Sequence, residues 1–555
     1  VTGEVGGVDP RATVTGPSWP EGLHAAFDRY EAALLADDVA VLDALFEPGP
    51  ETLRADAAGL LVGHDRISAF RSARGGVPGR SIGRTELRPL TDDVVLVVAE
   101  SHVDSGGRGI QTQLWRRTEG SWRIAAAHVT GRAPAFDRTI WRVVGDPLVP
   151  GASVPAPDRG ARDPALPLAG TAFPLAGAAL PLAGVRVAVK DLFAIRGQVV
   201  GAGNPVWERE APPATTHAPA VRALLDAGAS ITGIARTDEF AYSIAGRNAH
   251  TGTPPNGAAP DRMPGGSTSG PAAAVALGQA DLALGTDTAG SVRVPASYQG
   301  LWGLRTTHGL VDREGLLPLA QSFDTIGWLA RDAATVRAAA VASGASRPAD
   351  VPPDRDAADP PLDAADLVVS RALLDAVQPA TGAAFRRWLA AARLEPDEVA
   401  LPPLDELAET LRVVQAAEAW RNDGTWVTAH RDALGVDVLA RFDAAAAMDA
   451  AAEATARRRL AELRTAVRTA LDGRVLCLPT VPGPAPLRTA DAADVQVVRA
   501  ATLRMTAVAG VGGLPAVSAP FLMVDGAPVG VCLVGSPGRD VALIDLAVSL
   551  GTPRR

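Results

Sequence analysis

The chain has 555 residues, with 53 Lys and Arg against 62 Asp and Glu, for a formal net charge of −9. Hydrophobic residues make up 47% and charged residues 21%, which supplies a large buried core and excludes a disordered chain. Two cysteines exclude a disulfide framework or a cysteine-rich metal site, and an acidic chain without basic runs argues against a nucleic-acid binder.

Residues 1–17 are expected to form a flexible N-terminus without the basic start and apolar core of a secretory signal. Residues 18–135 read as a small α+β unit. Phe27, Ala32, Leu35, Val39, Leu42 and Leu45 fall at helical spacing, and a second short helix is expected near 64–73. Strands are predicted at 94–100, 111–116 and 122–129, the last two joined by a turn at Glu119-Gly120. Helices followed by antiparallel strands imply one curved sheet folded over helices. Residues 136–180 are rich in Pro, Ala and Gly, and Pro-Leu-Ala-Gly recurs at Pro167, Pro174 and Pro181. A proline in every repeat forbids a continuous helix, so this stretch reads as a linker.

Residues 181–555 alternate strands and helices. A strand at 185–189 runs into Lys190; a helix at 217–228 precedes a strand at 230–235. A helix begins near Pro271 and a short strand covers 281–285. The stretch 330–470 is mostly helical, and strands return at 475–478, 516–518 and 529–534. No stretch reaches the roughly eighteen unbroken apolar residues of a membrane helix. The expectation is therefore a soluble cytoplasmic protein without membrane or nucleic-acid partners.

Of the 53 basic residues, 52 are arginine and one, Lys190, is lysine. On a solvated surface either cation serves, but only a buried lysine becomes neutral and carries a proton. Lys190 is therefore the first catalytic candidate. Glycines beside hydroxyls crowd Pro264-Gly-Gly-Ser-Thr-Ser-Gly270 and Gly285-Thr-Asp-Thr-Ala-Gly-Ser-Val-Arg-Val-Pro295, a composition that lets backbone N–H groups approach a ligand. No G-x-S-x-G elbow, P-loop or H-E-x-x-H occurs. What remains is a hydroxyl nucleophile whose base is not histidine.

These segments, with Ala188-Val-Lys-Asp-Leu-Phe193, resemble the amidase signature family. Its middle segments, among them Asp238-Glu-Phe-Ala-Tyr-Ser243 and Asn248-Ala-His-Thr-Gly-Thr253, are similar to the plant indole-3-acetamide hydrolase branch. The resemblance implies a mixed central sheet flanked by helices and an enzyme needing neither metal nor cofactor. It implies a catalytic set of Lys190, Ser267 on a cis peptide, and the nucleophile Ser291. The N–H groups of Thr288, Ala289, Gly290 and Ser291 would form the oxyanion hole. Thr268, Asp191, Asp287 and Arg293 would brace the site. The activity implied is hydrolysis of a small carboxamide to acid and ammonia. Two other readings are a binding protein on the same fold without turnover and the amidase subunit of a tRNA-dependent amidotransferase. Many members carry Gly where Ala289 stands; if that position needed φ > 0, Ala would cost roughly 1 kcal/mol.

The N-terminal unit resembles the AtzH-like group of the nuclear-transport-factor-2-like fold, on Ala33–Leu45, Leu61-Val-Gly63, Ala69–Arg74, Gly109–Gln113 and Trp122–His128. That likeness implies a small cone-shaped α+β domain, a homodimer, and pocket candidates Arg54, Arg71 and His128. Trp207 and Trp302 are expected on loops that shape the substrate pocket.

Overall fold

The computed structural model describes residues 14–15, 18–56, 59–74, 77, 79–103, 108–131, 137–152, 180–345 and 361–551. The flexible N-terminus expected at 1–17 and most of the expected linker lie outside them. The chain divides into two compact units: Val1–Arg138 with Pro255–Met263 and Ala485–Val495, and Thr139–Pro254 with Pro264–Pro484 and Gln496–Arg555.

The smaller unit holds a seven-stranded sheet. In spatial order its strands are Val14–Thr15, Arg80–Thr91, Val94–Val103, Arg108–Thr118, Ser121–Gly131, Leu53–Asp56 and Gly59–Val62. Alternation aims Val95, Val97 and Ala99 into the core with Trp115 and with Leu23, Phe27 and Tyr30 of the first helix, and a register shift opposite Leu114 and Trp115 lets Ile124 and Ala127 both join it. The expected turn at Glu119-Gly120 is a two-residue hairpin loop with both φ positive, 51° and 77°. The single helical run read over 23–45 is two helices, Leu23–Ala36 and Val39–Leu45. Asp37 takes a left-handed conformation, and the Asp38 side chain accepts from Val41 N to start the next helix. Two pairings, Val14–Thr15 with Arg80–Thr91 and Leu53–Asp56 with Ser121–Gly131, are parallel.

The larger unit is built on an eleven-stranded mixed sheet. Strand Arg186–Lys190, buried from Val187 onward, lies between two parallel neighbours, Ser230–Ala235 and Leu282–Thr286. A strand buried on both faces reads as a continuous apolar run, and Val-Ala-Val fits. Antiparallel strands Ile326–Ala330, Trp302–Arg305, Ala516–Val524 and Ala527–Val534 continue the sheet. Residues 141–149, inside the stretch read as a linker, form a strand that closes the other edge by pairing with Ser230–Ala235. Among the described residues no helix is long and apolar enough to cross a membrane.

Candidate active site

Lys190 is the last residue of its strand. The parallel register sets Leu284 opposite Val189, which brings Thr286 beside Lys190. Its Nζ lies 2.8 Å from Ser267 Oγ and 2.7 Å from Thr286 Oγ1, both acting as acceptors. The side chain is wholly buried and, among the described residues, no carboxylate pairs with it. Burial pulls its pKa from 10.5 down to about 7, although Asp238, Asp324 and Asp287 act in the opposite direction. A lysine in that state is an amine that gains and loses a proton near neutrality.

Ser267 follows a cis Gly266–Ser267 peptide. Its carbonyl accepts from Thr237 Oγ1 at 2.9 Å and Asp238 N at 3.2 Å, and Gly266 N donates to Ile244 O at 2.9 Å. Asp238 is fixed in turn by Ser269 Oγ and Gly246 N, each at 2.9 Å. A Cβ at Gly266 would run into the Asp238 carboxylate, so the close approach of backbone to carboxylate requires glycine there.

Ser291 stands between strand Leu282–Thr286 and helix Arg293–Tyr298. Asp287 winds this connection around itself. Its Oδ1 accepts from Gly290 N at 2.9 Å and Arg293 Nη2 at 2.9 Å; its Oδ2 accepts from Arg293 Nε at 3.0 Å and from the amides of Val292 and Arg293 at 3.2 Å. Arg305 adds a contact to Oδ1 at 3.1 Å. Burial pushes the Asp287 carboxyl upward, but Arg293 and Arg305 outweigh it and hold it well below the usual range. Thr288 Oγ1 donates to Asp324 Oδ1 at 2.6 Å, and Thr506 Oγ1 donates to Ala289 O at 2.7 Å. Thr268 N donates to Ser291 O at 3.3 Å, so the segments carrying Ser267 and Ser291 lie side by side. Among the described residues nothing hydrogen-bonds the Ser291 hydroxyl, which leaves it free to turn toward a base.

The expected oxyanion set needs one correction. The Gly290 N–H is already committed to Asp287, whereas the amides of Thr288, Ala289 and Ser291 have no partner among the described residues. Ala289 is not in the positive-φ region; Gly290 is, at φ 123°. The glycine demanded by the backbone is therefore present, and Ala289 carries no such strain.

The bracing residues have identifiable partners. Thr268 is fully buried, its Oγ1 3.4 Å from Thr286 O. Asp191 accepts from Gly201 N at 2.8 Å and lies 3.0 Å from Arg142 Nε, and burial raises it to about 6 despite that arginine. Arg142 comes from the strand inside the expected linker. Thr286, Asp238, Asp324, Arg305 and Arg142 were not singled out from the sequence. Two of them had a usable signal: Thr286 stands in the Gly285-Thr-Asp-Thr run, and Asp238 opens the segment Asp238-Glu-Phe-Ala-Tyr-Ser243.

The three N-terminal candidates do not converge. Arg54 and Arg71 are buried on the core side, Arg54 over the Phe70 ring at 4.5 Å and Arg71 over Phe46 at 3.9 Å. Arg54 also pairs with Asp56 at 2.8 Å, and Arg71 donates to Leu42 O at 3.1 Å. His128 faces the other side of the sheet, in a shallow apolar hollow of about 210 Å³ with Leu53, Leu60 and Leu114. Strand alternation accounts for the split: Arg54 pairs with Ala127, so His128 points the opposite way. Trp207, on the short helix Pro205–Glu210 and not a loop, packs edge-on against Phe240 and Trp426, in an apolar cluster that includes Ala289. Trp302, on a strand and not a loop, meets Phe521 at 5.6 Å.

Residues 169–544 match the amidase family model and residues 13–133 the AtzH-like model. Amidase 1 of Arabidopsis thaliana is 37% identical over 390 residues, 65% of this chain and 91% of that protein. Among solved structures, one described as a crystal structure of amidase has a TM-score of 0.59 at 31% identity, covering 66% of this chain and 84% of the other. Another, from work on an s-triazine catabolic enzyme, has a TM-score of 0.60 at 29% identity, covering 67% and 85%. The translocon at the outer membrane of chloroplasts 64 of Pisum sativum is 48% identical over 150 residues, 27% of this chain and 25% of that protein. It and an outer envelope protein of Arabidopsis thaliana mitochondria, 41% identical over 145 residues, are organellar envelope proteins. They overturn the cytoplasmic expectation, because likeness within this family does not place a chain in the cytoplasm. Fold, family and relatives agree: the chain belongs to the amidase family, carries an AtzH-like segment ahead of the amidase region, and is an amidase.

Proposed function

We propose that the protein hydrolyses a small carboxamide to acid and ammonia through an acyl-enzyme on Ser291. The observation that carries this reading is a buried amine of pKa about 7 held 2.8 Å from the hydroxyl of Ser267, beside the segment bearing Ser291. Neutral Lys190 accepts the Ser267 proton while Ser267 accepts that of Ser291, whose Oγ attacks the amide carbonyl. The Thr288, Ala289 and Ser291 amides, which have no partner among the described residues, receive the negative charge that builds on the carbonyl oxygen. The relayed proton returns to the leaving nitrogen as its bond to carbon breaks, and ammonia departs. Water then adds to the Ser291 ester along the same relay and releases the acid. Asp287 holds the loop that presents these donors, and Asp191 fixes the backbone beside Lys190.

The test is ammonia release from purified protein over aliphatic and aryl amides, biuret and malonamide, beside Ser291→Ala. Turnover lost in that variant supports the reading. Turnover that survives it counts against Ser291 as the nucleophile, and its absence on the whole panel counts for a binding protein on the amidase fold.

A further inference from the structure

The long helix Leu404–Ala429 is buried over much of its circumference in its second half, where Glu418, Ala419, Asp423, Gly424 and Val427 are all buried. Two of its polar residues bind the loop before Asp324. Glu418 accepts from Ser322 N at 2.9 Å and Ser322 Oγ at 2.6 Å; Asn422 donates to Leu319 O at 3.1 Å and accepts from Gln321 Nε2 at 2.7 Å. The same loop turns its Leu319 and Ala320 amides onto Asp324 Oδ2, whose other oxygen takes the Thr288 hydroxyl. The helix that carries Asp423 is thus tied, through Glu418, Asn422 and this one loop, to Thr288, the residue expected to help hold the oxyanion.

Asp324 has a donor on each oxygen. Asp423 differs: it is 3% exposed, and among the described residues nothing donates to its carboxylate. Burial, with a smaller push from the charge of Asp324, raises it to about 7. Ala419 and Val427, one helical turn to either side, belong to the apolar cluster that holds Ala289, two residues before Ser291. A buried carboxylate without a donor is costly and is seldom kept without a partner.

We propose that Asp423 is a specificity-determining residue that accepts a hydrogen bond from an N–H group on the part of the substrate remote from the scissile amide. This rests on the amidase reading above. A site built to receive a donor discriminates strongly against the analogue that lacks it.

Two substrate pairs test it in wild type and Asp423→Leu. Indole-3-acetamide against its benzothiophene analogue differs by a ring N–H; an ω-amino alkanamide against the alkanamide of equal length adds an ammonium. Wild type is expected to prefer the nitrogen-bearing member of one pair in kcat/KM by at least tenfold, and the pair that responds tells neutral donor from cation. Asp423→Leu should shrink that ratio at least tenfold. No wild-type preference in either pair, an unchanged ratio, or a parallel loss on both members would overturn the proposal. Thermal unfolding gives a readout independent of turnover: removing an unpaired buried charge should leave Tm equal or higher. A fall of more than about 5 °C would mean that Asp423 holds the fold, and would overturn it. If wild type hydrolyses no amide at all, the amidase reading fails and this proposal with it, whereas turnover without the expected preference or with a fall in Tm overturns the proposal alone.

Discussion

Replacing Lys190 with arginine keeps a long basic side chain and all but removes its ability to become neutral. At pH 8 a group with pKa about 7 is about nine-tenths deprotonated. The fully buried Arg305 shows what this interior does to a guanidinium: burial lowers it to about 10 despite Asp287. Even an arginine at position 190 lowered that far would be neutral in no more than about one molecule in a hundred at pH 8. The base population alone then falls about ninety-fold, before any misplacement of the proton relay. The assay is kcat/KM for ammonia release between about pH 5.5 and 10. Wild type should lose about tenfold per pH unit below 7 and level off above it, since the neutral amine is the active form. Lys190→Arg should lie at least fiftyfold below wild type at pH 8 and still be rising at pH 10. A variant within tenfold of wild type, with its inflection still near 7, would refute a proton-relay lysine.

Three further outcomes follow from the geometry. Thr286→Val removes one acceptor from Lys190, so the charged form loses a hydrogen bond; the wild-type inflection should move below 7 and kcat/KM at pH 8 fall severalfold. Gly290→Ala places a side chain at φ 123° with its Cβ 3.1 Å from Thr506 Cγ2, and should cost 1 kcal/mol or more in urea unfolding with a marked loss of kcat, whereas Ala289→Gly should change stability by less than about 1 kcal/mol. Asp287→Asn leaves Arg293 and Arg305 buried without their countercharge and should cost about 3–5 kcal/mol. Because the folded-state pKa of Asp287 lies below its unfolded value, this stabilisation is present in full above about pH 5 and fades as pH falls toward the folded value, so the gap between wild type and variant should narrow in acid.

The chemistry-bearing residues were legible because they break a rule. One lysine among arginines and serines bracketed by glycines mark Lys190, Ser267 and Ser291 before any fold is known. Long-range partners leave no such mark: Asp324 reaches Thr288 from 36 residues away, and Arg142 reaches Asp191 across a Pro-rich stretch with no strand pattern. Strand Arg80–Thr91 was not read because Gly83 and Pro89 interrupt its alternation, and Trp302–Arg305 is too short to show a period. Helix Ala492–Gly512 is buried all round from Met505 to Gly512, so it lacks the apolar stripe that betrays a surface helix. His128 was grouped with Arg54 because sequence does not say which face of a sheet each residue takes until the register is set.

The central claim is a covalent intermediate on Ser291. Rapid acid quench of the protein turning over a slow aryl amide, followed by peptide mass spectrometry, tests it directly. The account predicts an acyl adduct on the peptide carrying Ser291, absent in Ser291→Ala and diminished in Lys190→Arg. An adduct on another residue, or undiminished turnover by Ser291→Ala, would contradict it.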